Sequence, residues 1–415
     1  MSLHLKYLWS FDMANLAING GEPTRTESFP SWPTLDPADI AAFEEIYNSK
    51  RWGVGGTNVP EFAKQFAEFQ GAKYGVCVNS GTSALYIALK AAEVGPDDEV
   101  ITTAYTFQAT VVAILMTHAV PVFVDTAPDS FLLDVSKIEE AITEKTKAIL
   151  PVHIAGYPAD LDGLTEISEK HNLKLIEDCA QAHGAEWRGK GVGSWGDFGC
   201  FSFQSSKNLC AGEGGIILTN DRELYERTFA LHNCGRTPPE AEFGNIEPFG
   251  GNFRMTEWQA SILLSRLTRL EEETNHRHMN MRWLDGWFGE IPGIKVTRID
   301  PRATRCGSHG YKAIFDSEEF EGISRATFLE AMRAEGIPIG YWYTTPMYRS
   351  AFLKSNLFGQ NLDYSNVECL ETEKICQTGL AFSQNVLMGN VRDMEDIIKA
   401  TMKIRRNVAE LKDAV

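Results

Sequence analysis

The chain is 415 residues long, with 56 acidic and 39 basic residues, a formal net charge of −17 at pH 7, and 43% hydrophobic and 23% charged residues. This is the balance of a globular protein with room for a large core and two domains. An acidic excess excludes partners held through a phosphate backbone, so nucleic acid is not expected. No apolar run approaches the roughly 20 residues of a membrane span, so no membrane contact is expected. The start lacks the basic, apolar and small-residue succession of a secretory signal. Residues 1–12 read as unrelated to the remainder of the chain, either an appended segment or an upstream start. The eight cysteines, Cys77, Cys179, Cys200, Cys210, Cys234, Cys306, Cys369 and Cys376, show neither CxxC pairs nor framework spacing. They point to a reducing cytoplasm, to thiols packed as small core residues and to no metal site.

Residues 13–35 are punctuated by Asn19-Gly20-Gly21, Pro23, Pro30 and Pro33, which marks an N-terminal arm. Asp36-Pro37 opens a helix carrying Ile40, Phe43, Ile46 and Tyr47 at helical spacing. Trp52-Gly53-Val54-Gly55-Gly56 is either a plain turn or an aromatic flap on a glycine hinge, facing a ligand or a neighbouring subunit. From Tyr74 to about Leu218 short apolar strands alternate with helices. Strands are expected at 75–78, 100–102, 120–124, 148–152, 173–176, 198–203 and 216–218, and helices at 82–92, 107–116, 135–142 and 164–170. Such alternation is the pattern of an α/β protein with a largely parallel sheet covered on both faces. Further on, a long amphipathic helix is expected over 255–272, strands over 294–296 and 311–315, and helices over 324–335 and 391–411. The resulting organisation is an arm (13–35), a large domain (36–272) and a smaller C-terminal domain (273–415).

In parallel sheets ligands sit beyond the carboxyl ends of the strands, and several of these exits carry chemistry. The first is Asn79-Ser80-Gly81-Thr82-Ser83-Ala84, a small-residue loop feeding a helix N-terminus, where free N–H groups favour an anion such as phosphate. The plain alternative is that Thr82 caps its helix. After the second strand, Phe107 can stack on a flat ligand ring or simply join the core. After the fifth comes Glu177-Asp178-Cys179-Ala180-Gln181-Ala182-His183. Two acids at the end of a buried strand are costly unless paired. An aspartate there can hold a proton on a ring nitrogen and Gln181 can reach a ring oxygen, while a Mg²⁺ site is the alternative. His183 reads as a core histidine, with ligand or base as the other option.

The sixth strand runs into Gln204-Ser205-Ser206-Lys207, followed by Gly212, Gly214 and Gly215. A lysine desolvated among aromatics has a lowered pKa and an amine free to attack a carbonyl. An ordinary surface lysine in a turn is the alternative. Together the exits supply a phosphate cradle, a stacking ring, a carboxylate for a pyridinium and a lysine for an aldehyde, which is what pyridoxal 5′-phosphate requires.

With Gly81-Thr82, Phe107, Asp178, Gln181, Ser202 and Lys207 in this order and spacing, the chain resembles the DegT/DnrJ/EryC1/StrS aminotransferases. These are sugar and cyclitol aminotransferases of antibiotic and surface-polysaccharide pathways. The resemblance runs from about residue 14 to the end. It implies a fold type I pyridoxal-phosphate enzyme: a mostly parallel seven-stranded sheet with helices on both faces, plus a smaller C-terminal α+β domain. It also implies that Lys207 binds the cofactor covalently, Asp178 pairs with the ring nitrogen, Phe107 covers the ring and Gln181 contacts its hydroxyl. Gly81, Thr82, Ser83 and Ser202 would bind the phosphate. The segment Asn252-Phe253-Arg254-Met255-Thr256-Glu257 matches another family motif. There Asn252 would reach the neighbouring subunit's phosphate, implying a homodimer with shared sites; read by itself, Asn252 is a helix-start residue. Lysine at 207, where some family dehydratases carry histidine, favours transamination.

The stretch Tyr341 to Arg349, with His232-Asn233-Cys234-Gly235-Arg236, looks more like the branch that uses scyllo-inosose-type cyclitols or makes 3-amino-5-hydroxybenzoate. Tyr348 and Arg349 are the substrate-binding candidates, joined by His309, whose default reading is structural. The expected activity is transfer of an amino group from L-glutamine or L-glutamate to a keto-cyclitol or keto-sugar. The alternatives are 3-amino-5-hydroxybenzoate formation and a cofactor-binding regulator without turnover. A nicotinamide-dependent oxidoreductase would need a GxGxxG after the first strand, and 79–84 does not supply one.

Overall fold

The computed structural model describes residues 15–242, 249–354 and 362–411; residues 1–12 lie outside them. At its centre are seven strands: β1 (Tyr74–Val78), β2 (Glu99–Thr103), β3 (Val120–Val124), β4 (Thr146–Leu150), β5 (Lys174–Asp178), β6 (Phe198–Ser202) and β7 (Gly215–Thr219). Their spatial order is β1-β7-β6-β5-β4-β2-β3. Strands β2 to β6 pair in parallel, and β7 runs antiparallel to both of its neighbours, β6 and β1. The reversal has a simple cause. Parallel neighbours need a crossover, usually a helix, whereas residues 203–214 join β6 to β7 as a loop with no helix. That loop carries Lys207.

Side chains alternate across the sheet as the pleat requires. Phe198 and Cys200 of β6 enter a cluster with Leu85, Ala88 and Ile114, while Phe201 and Phe203 enter one with Phe62, Phe66 and Leu263. Helix α1 (Pro37–Ser49) packs on the long helix over 257–288, and α2 (Asn58–Gln70), α3 (Gly81–Ala91), α4 (Gln108–Met116), α5 (Leu161–His171) and α6 (Arg222–His232) cover the faces. Helix α2 is absent from the sequence expectations because Pro60 looks like a breaker. It falls in the first turn, where its missing N–H has no partner to lose, and Phe62, Ala63, Phe66 and Ala67 form the buried face. The helix expected over 135–142 is instead a 3₁₀ turn, Val135–Lys137, followed by one α turn, Ile138–Ala141.

Helix α7 (Glu257–Phe288) starts on a capping box of Thr256 and Gln259 and does not stop at 272. Ion pairs Arg269–Glu273 and Arg277–Glu273, each one turn apart, carry it onward. Met281, Leu284 and Phe288 then enter the C-terminal core, so the boundary drawn at 272/273 falls inside a continuous helix. That core packs a three-stranded antiparallel sheet, β8 (Ile294–Val296), β9 (Gly310–Phe315) and β10 (Gly379–Ser383), against helices α8 (Arg325–Ala334), α9 (Leu370–Thr378) and α10 (Val391–Arg406). The last helix ends at Arg406, and Val408–Leu411 comes after it as a 3₁₀ turn. The arm is tied to this part of the chain. Glu335 accepts the Ala17 N–H (2.9 Å), the Thr24 N–H and hydroxyl (2.8 Å each) and the Lys403 ammonium (2.9 Å). Among the described residues no helix is long and apolar enough to cross a membrane.

Candidate active site

The exits of β1, β2 and β5, the 203–214 loop and the segment Tyr341–Tyr343 surround a cavity of about 670 Å³. Gly81, Thr82, Phe107, Asp178, Gln181, Ser202, Lys207 and His309 all line it. Helix α3 begins hard against the end of β6: a Cβ on Gly81 would lie 2.6 Å from that of Ser202. The cap of α3 is Ser80, not Thr82. Its hydroxyl accepts the Ser83 N–H at 3.1 Å and bonds the Ser83 hydroxyl at 3.0 Å. Ser83 is thereby committed to the cap and does not line the cavity, whereas Thr82 does. Phe107 precedes α4 and stays 54% exposed at the cavity mouth, so it is not a core residue.

The two acids at the end of β5 point to opposite faces. Glu177 is fully buried, and its carboxylate accepts N–H groups from Gly193 (2.7 Å), Trp195 (2.9 Å) and Gly196 (2.9 Å). It also meets His153 Nε2 at 3.1 Å. Because His153 Nδ1 accepts the Ala159 N–H (2.9 Å), Nε2 carries the proton and donates. His153, Glu177 and Cys179 lie close enough to suggest a metal cluster, yet these bonds already occupy both histidine nitrogens and both carboxylate oxygens. Asp178 faces the cavity, accepting the Thr110 hydroxyl (2.8 Å) and the Ala180 N–H (3.1 Å), with Thr106 backing Thr110 at 2.8 Å. Burial raises its pKa, opposed by those two donors and by the Lys207 charge.

Lys207 sits in a compact turn. Its N–H donates to Gln204 C=O (2.8 Å), and Ser205 N–H to Gly212 C=O (2.9 Å). Phe203 N–H donates to the carbonyl of Gly214, whose φ of +147° suits glycine. The Trp32 indole of the arm donates to the Lys207 carbonyl at 3.2 Å. Burial lowers the Lys207 pKa from 10.5, with Asp178 pulling the other way. Gln181 accepts the Ala155 N–H (2.6 Å) and donates to the Tyr343 hydroxyl (3.3 Å). His309 has a fixed tautomer. Asn208 donates through Nδ2 to Gly307 C=O (2.6 Å), so its Oδ1 accepts from His309 Nδ1 (3.0 Å) and Nε2 keeps a lone pair. Burial, then the Lys207 charge, holds His309 neutral. His183 is a core group: one ring nitrogen meets Ser202 C=O (2.8 Å), and burial lowers its pKa to about 3.

Two expected substrate-binding residues lie outside the cavity. Tyr348 packs with Ala104, Phe123 and Leu353 and donates its hydroxyl to Glu373 (2.6 Å); Arg349 pairs with the same carboxylate. Pro346 opens a 3₁₀ turn, Met347–Arg349, that leads the chain away from the cavity. Tyr341, Trp342 and Tyr343, a few residues earlier, line it instead. Asn252 is exposed, bridged to Asn233, and outside this chain's cavity. Sequence reasoning also passed over Thr110, although it lies one helical turn beyond Phe107 and so shares its side of α4.

Such a cavity, with an aspartate and a lysine at strand exits of a mostly parallel sheet, is the architecture of an aminotransferase. The solved structure of 3-amino-5-hydroxybenzoic acid synthase superimposes with a TM-score of 0.81 at 30% identity, covering 93% of this chain and 100% of that one. The chain belongs to the DegT/DnrJ/EryC1/StrS aminotransferase family, whose profile matches residues 33–400. A relative from Streptoalloteichus tenebrarius, provisionally named an L-glutamine:3-amino-2,3-dideoxy-scyllo-inosose aminotransferase, is 37% identical over 416 residues, 96% of this chain and 100% of that protein. The L-glutamine:2-deoxy-scyllo-inosose aminotransferase of Micromonospora echinospora is 35% identical over 420 residues, again 96% of this chain and 100% of that protein.

Proposed function

We propose that this aminotransferase uses pyridoxal 5′-phosphate to move the amino group of L-glutamine to a keto-cyclitol of the scyllo-inosose type. The observation that carries the reading is that Lys207 and Asp178 line one cavity and each shifts the other's protonation. The donor set fits the cofactor. A glycine without room for a Cβ opens helix α3 beside Ser202 and Thr82, and the first N–H groups of a helix attract phosphate. Phe107 offers an exposed ring face, Gln181 an amide, and Asp178 a buried carboxylate. The names of the two relatives above support glutamine and a cyclitol as substrates.

When bound, the cofactor supplies an aldehyde that takes up the amino group and a ring that accepts electrons. Asp178, held by Thr110 and Ala180, keeps a proton on the ring nitrogen, since a positive charge beside it favours its ionised form. Lys207 Nζ, its pKa lowered by burial, gives up its proton more readily than a solvated lysine and serves as the base. It takes the proton from the donor Cα and passes one on, first as base and then as acid. His309 Nε2, a neutral acceptor, takes a hydroxyl hydrogen bond from the ketone. The two substrates use the cavity in turn, which makes the kinetics ping-pong.

A homodimer completes the site in this reading. Asn252 faces outward beside Arg254, and an uncovered aromatic group (Phe43 4.7 Å and Trp52 5.5 Å from Trp258, Tyr47 stacked on Trp52 at 6.4 Å) is suited to a subunit contact. A second reading, 3-amino-5-hydroxybenzoate formation, draws on the likeness to that synthase. Purified enzyme loaded with cofactor tests both. L-Glutamine should abolish the visible absorbance, and one ketone from a panel of inososes and keto-sugars should restore it. Conversion of aminodehydroshikimate to the aromatic product, with loss of water and with no L-glutamine present, selects the second reading. A Lys207→Ala enzyme that still cycled amino groups would end the proposal.

A further inference from the structure

Behind the cavity wall lies a second lysine that this mechanism does not use. Lys312, on β9, is 1% exposed, and among the described residues no acidic side chain acts on its charge. Its Nζ stands 3.7 Å from the Trp342 ring centroid, 5.3 Å from that of Phe131 and 5.6 Å from that of Tyr105. One hydrogen bond, to the Tyr105 hydroxyl at 3.4 Å, completes its surroundings. Aromatic faces hold an ammonium, but less strongly than a carboxylate in a dry site; burial lowers the Lys312 pKa well below 10.5, so an arriving carboxylate also favours its charged form.

Trp342 is the partition. The ring that covers Lys312 also lines the cavity, in an irregular segment and against the rings of His309 (5.4 Å) and Tyr343 (6.3 Å). The cavity itself is short of positive charge: among its described lining residues Lys207 is the sole cation, and the reaction employs it. The two substrates make opposite demands. L-Glutamine brings an α-carboxylate, while an inosose brings hydroxyls, or hydroxyls and an amine, and no anionic group.

We propose that Lys312 is the receptor for the amino donor's carboxylate, with Trp342 as a shutter. As the donor enters, Trp342 turns aside and the carboxylate takes its place on Nζ; when the ketone, which has no carboxylate, occupies the cavity, the ring returns. This assignment rests on the aminotransferase reading of the site. A ligand shifts such an equilibrium only by its preference for one state. The carboxylate has that preference, because it gains an ion pair in the open state, and the ketone does not.

The test is Lys312→Met, whose apolar side chain of similar length fills the cage without a charge. Half-reactions are followed separately with L-glutamine, with L-glutaminol, which lacks the carboxylate, and with the ketone. The variant should lose about 10- to 100-fold in kcat/KM for L-glutamine, chiefly through KM, the size of one desolvated charge-assisted contact. Its rates with L-glutaminol and the ketone should stay within about twofold of wild type, as expected for a contact they never make. Unchanged glutamine kinetics, or an equal loss with all three compounds, overturns the proposal. Calorimetry with glutarate gives an arm independent of turnover. Trp342→Ala, which removes the shutter, should bind glutarate about tenfold more tightly than wild type, and equal or weaker binding overturns the proposal. If wild type does not react with L-glutamine, the donor assignment fails, and the glutarate arm still decides the role of Lys312.

Discussion

Glu177 sits beside Asp178 on β5, and Glu177→Gln isolates what holds that strand exit in place. The carboxylate accepts four hydrogen bonds, two on each oxygen: Gly193 N–H and His153 on Oε2, Trp195 and Gly196 N–H on Oε1. Glutamine preserves the shape but turns one oxygen into an NH₂ group. Whichever oxygen is replaced, two donors then face a donor. At about 1.5–3 kcal/mol for each charge-assisted bond, the loss is about 3–6 kcal/mol. Removing a buried charge returns some desolvation free energy. Three of the four donors are backbone groups fixed by the turn, however, so they cannot find other partners and the loss dominates. Urea unfolding at fixed protein concentration, with the denaturant slope unchanged, measures it. A variant within about 1 kcal/mol of wild type would refute the account of Glu177 as the acceptor that organises this exit.

Three other outcomes are expected. Gly81→Ala places a Cβ 2.6 Å from that of Ser202; overpacking of this kind costs about 1–3 kcal/mol, and equilibrium dialysis should show cofactor affinity reduced about tenfold or more. Lys207→Met should stabilise the cofactor-free protein, because burial lowers the Lys207 pKa and the folded state disfavours its charged form. The gain should be largest near neutral pH and shrink as pH rises toward the unfolded value of about 10.4, read from unfolding curves at several pH values. For Glu335, burial would raise the pKa, but the Ala17 and Thr24 donors and Lys403 outweigh it and lower it. Its stabilisation is therefore present above the unfolded value of about 4.3 and lost as pH falls through the lowered folded value. Glu335→Gln should accordingly cost most above pH ~5 and progressively less in acid.

The sheet was legible because its strands are short apolar runs, and all seven appear where those runs predict. Helix α2 was hidden by Pro60, and the length of α7 by its run of charged residues, which pair along the helix instead of ending it. Within the site, Gly81, Thr82, Phe107, Asp178, Gln181, Ser202 and Lys207 could be read because each lies at the end of a predicted strand or within a few residues beyond it. Tyr341 to Tyr343 could not be separated in advance from Tyr348 and Arg349. All lie in one irregular stretch, and the turn at Pro346 decides which of them face the cavity. Ser83 shows the same limit on a smaller scale, since two hydrogen bonds tie this phosphate candidate to the Ser80 cap.

The Trp32 indole bonded to the Lys207 carbonyl gives the arm a role beyond covering surface. Its other end is anchored at Glu335, so one short tether joins the C-terminal layer to the backbone of Lys207. A shift of that layer, as on substrate entry or subunit docking, would be felt at Lys207 without passing through the sheet. Trimming the protein from its front end would therefore first release the Glu335 anchor and only afterwards the Trp32 contact with Lys207.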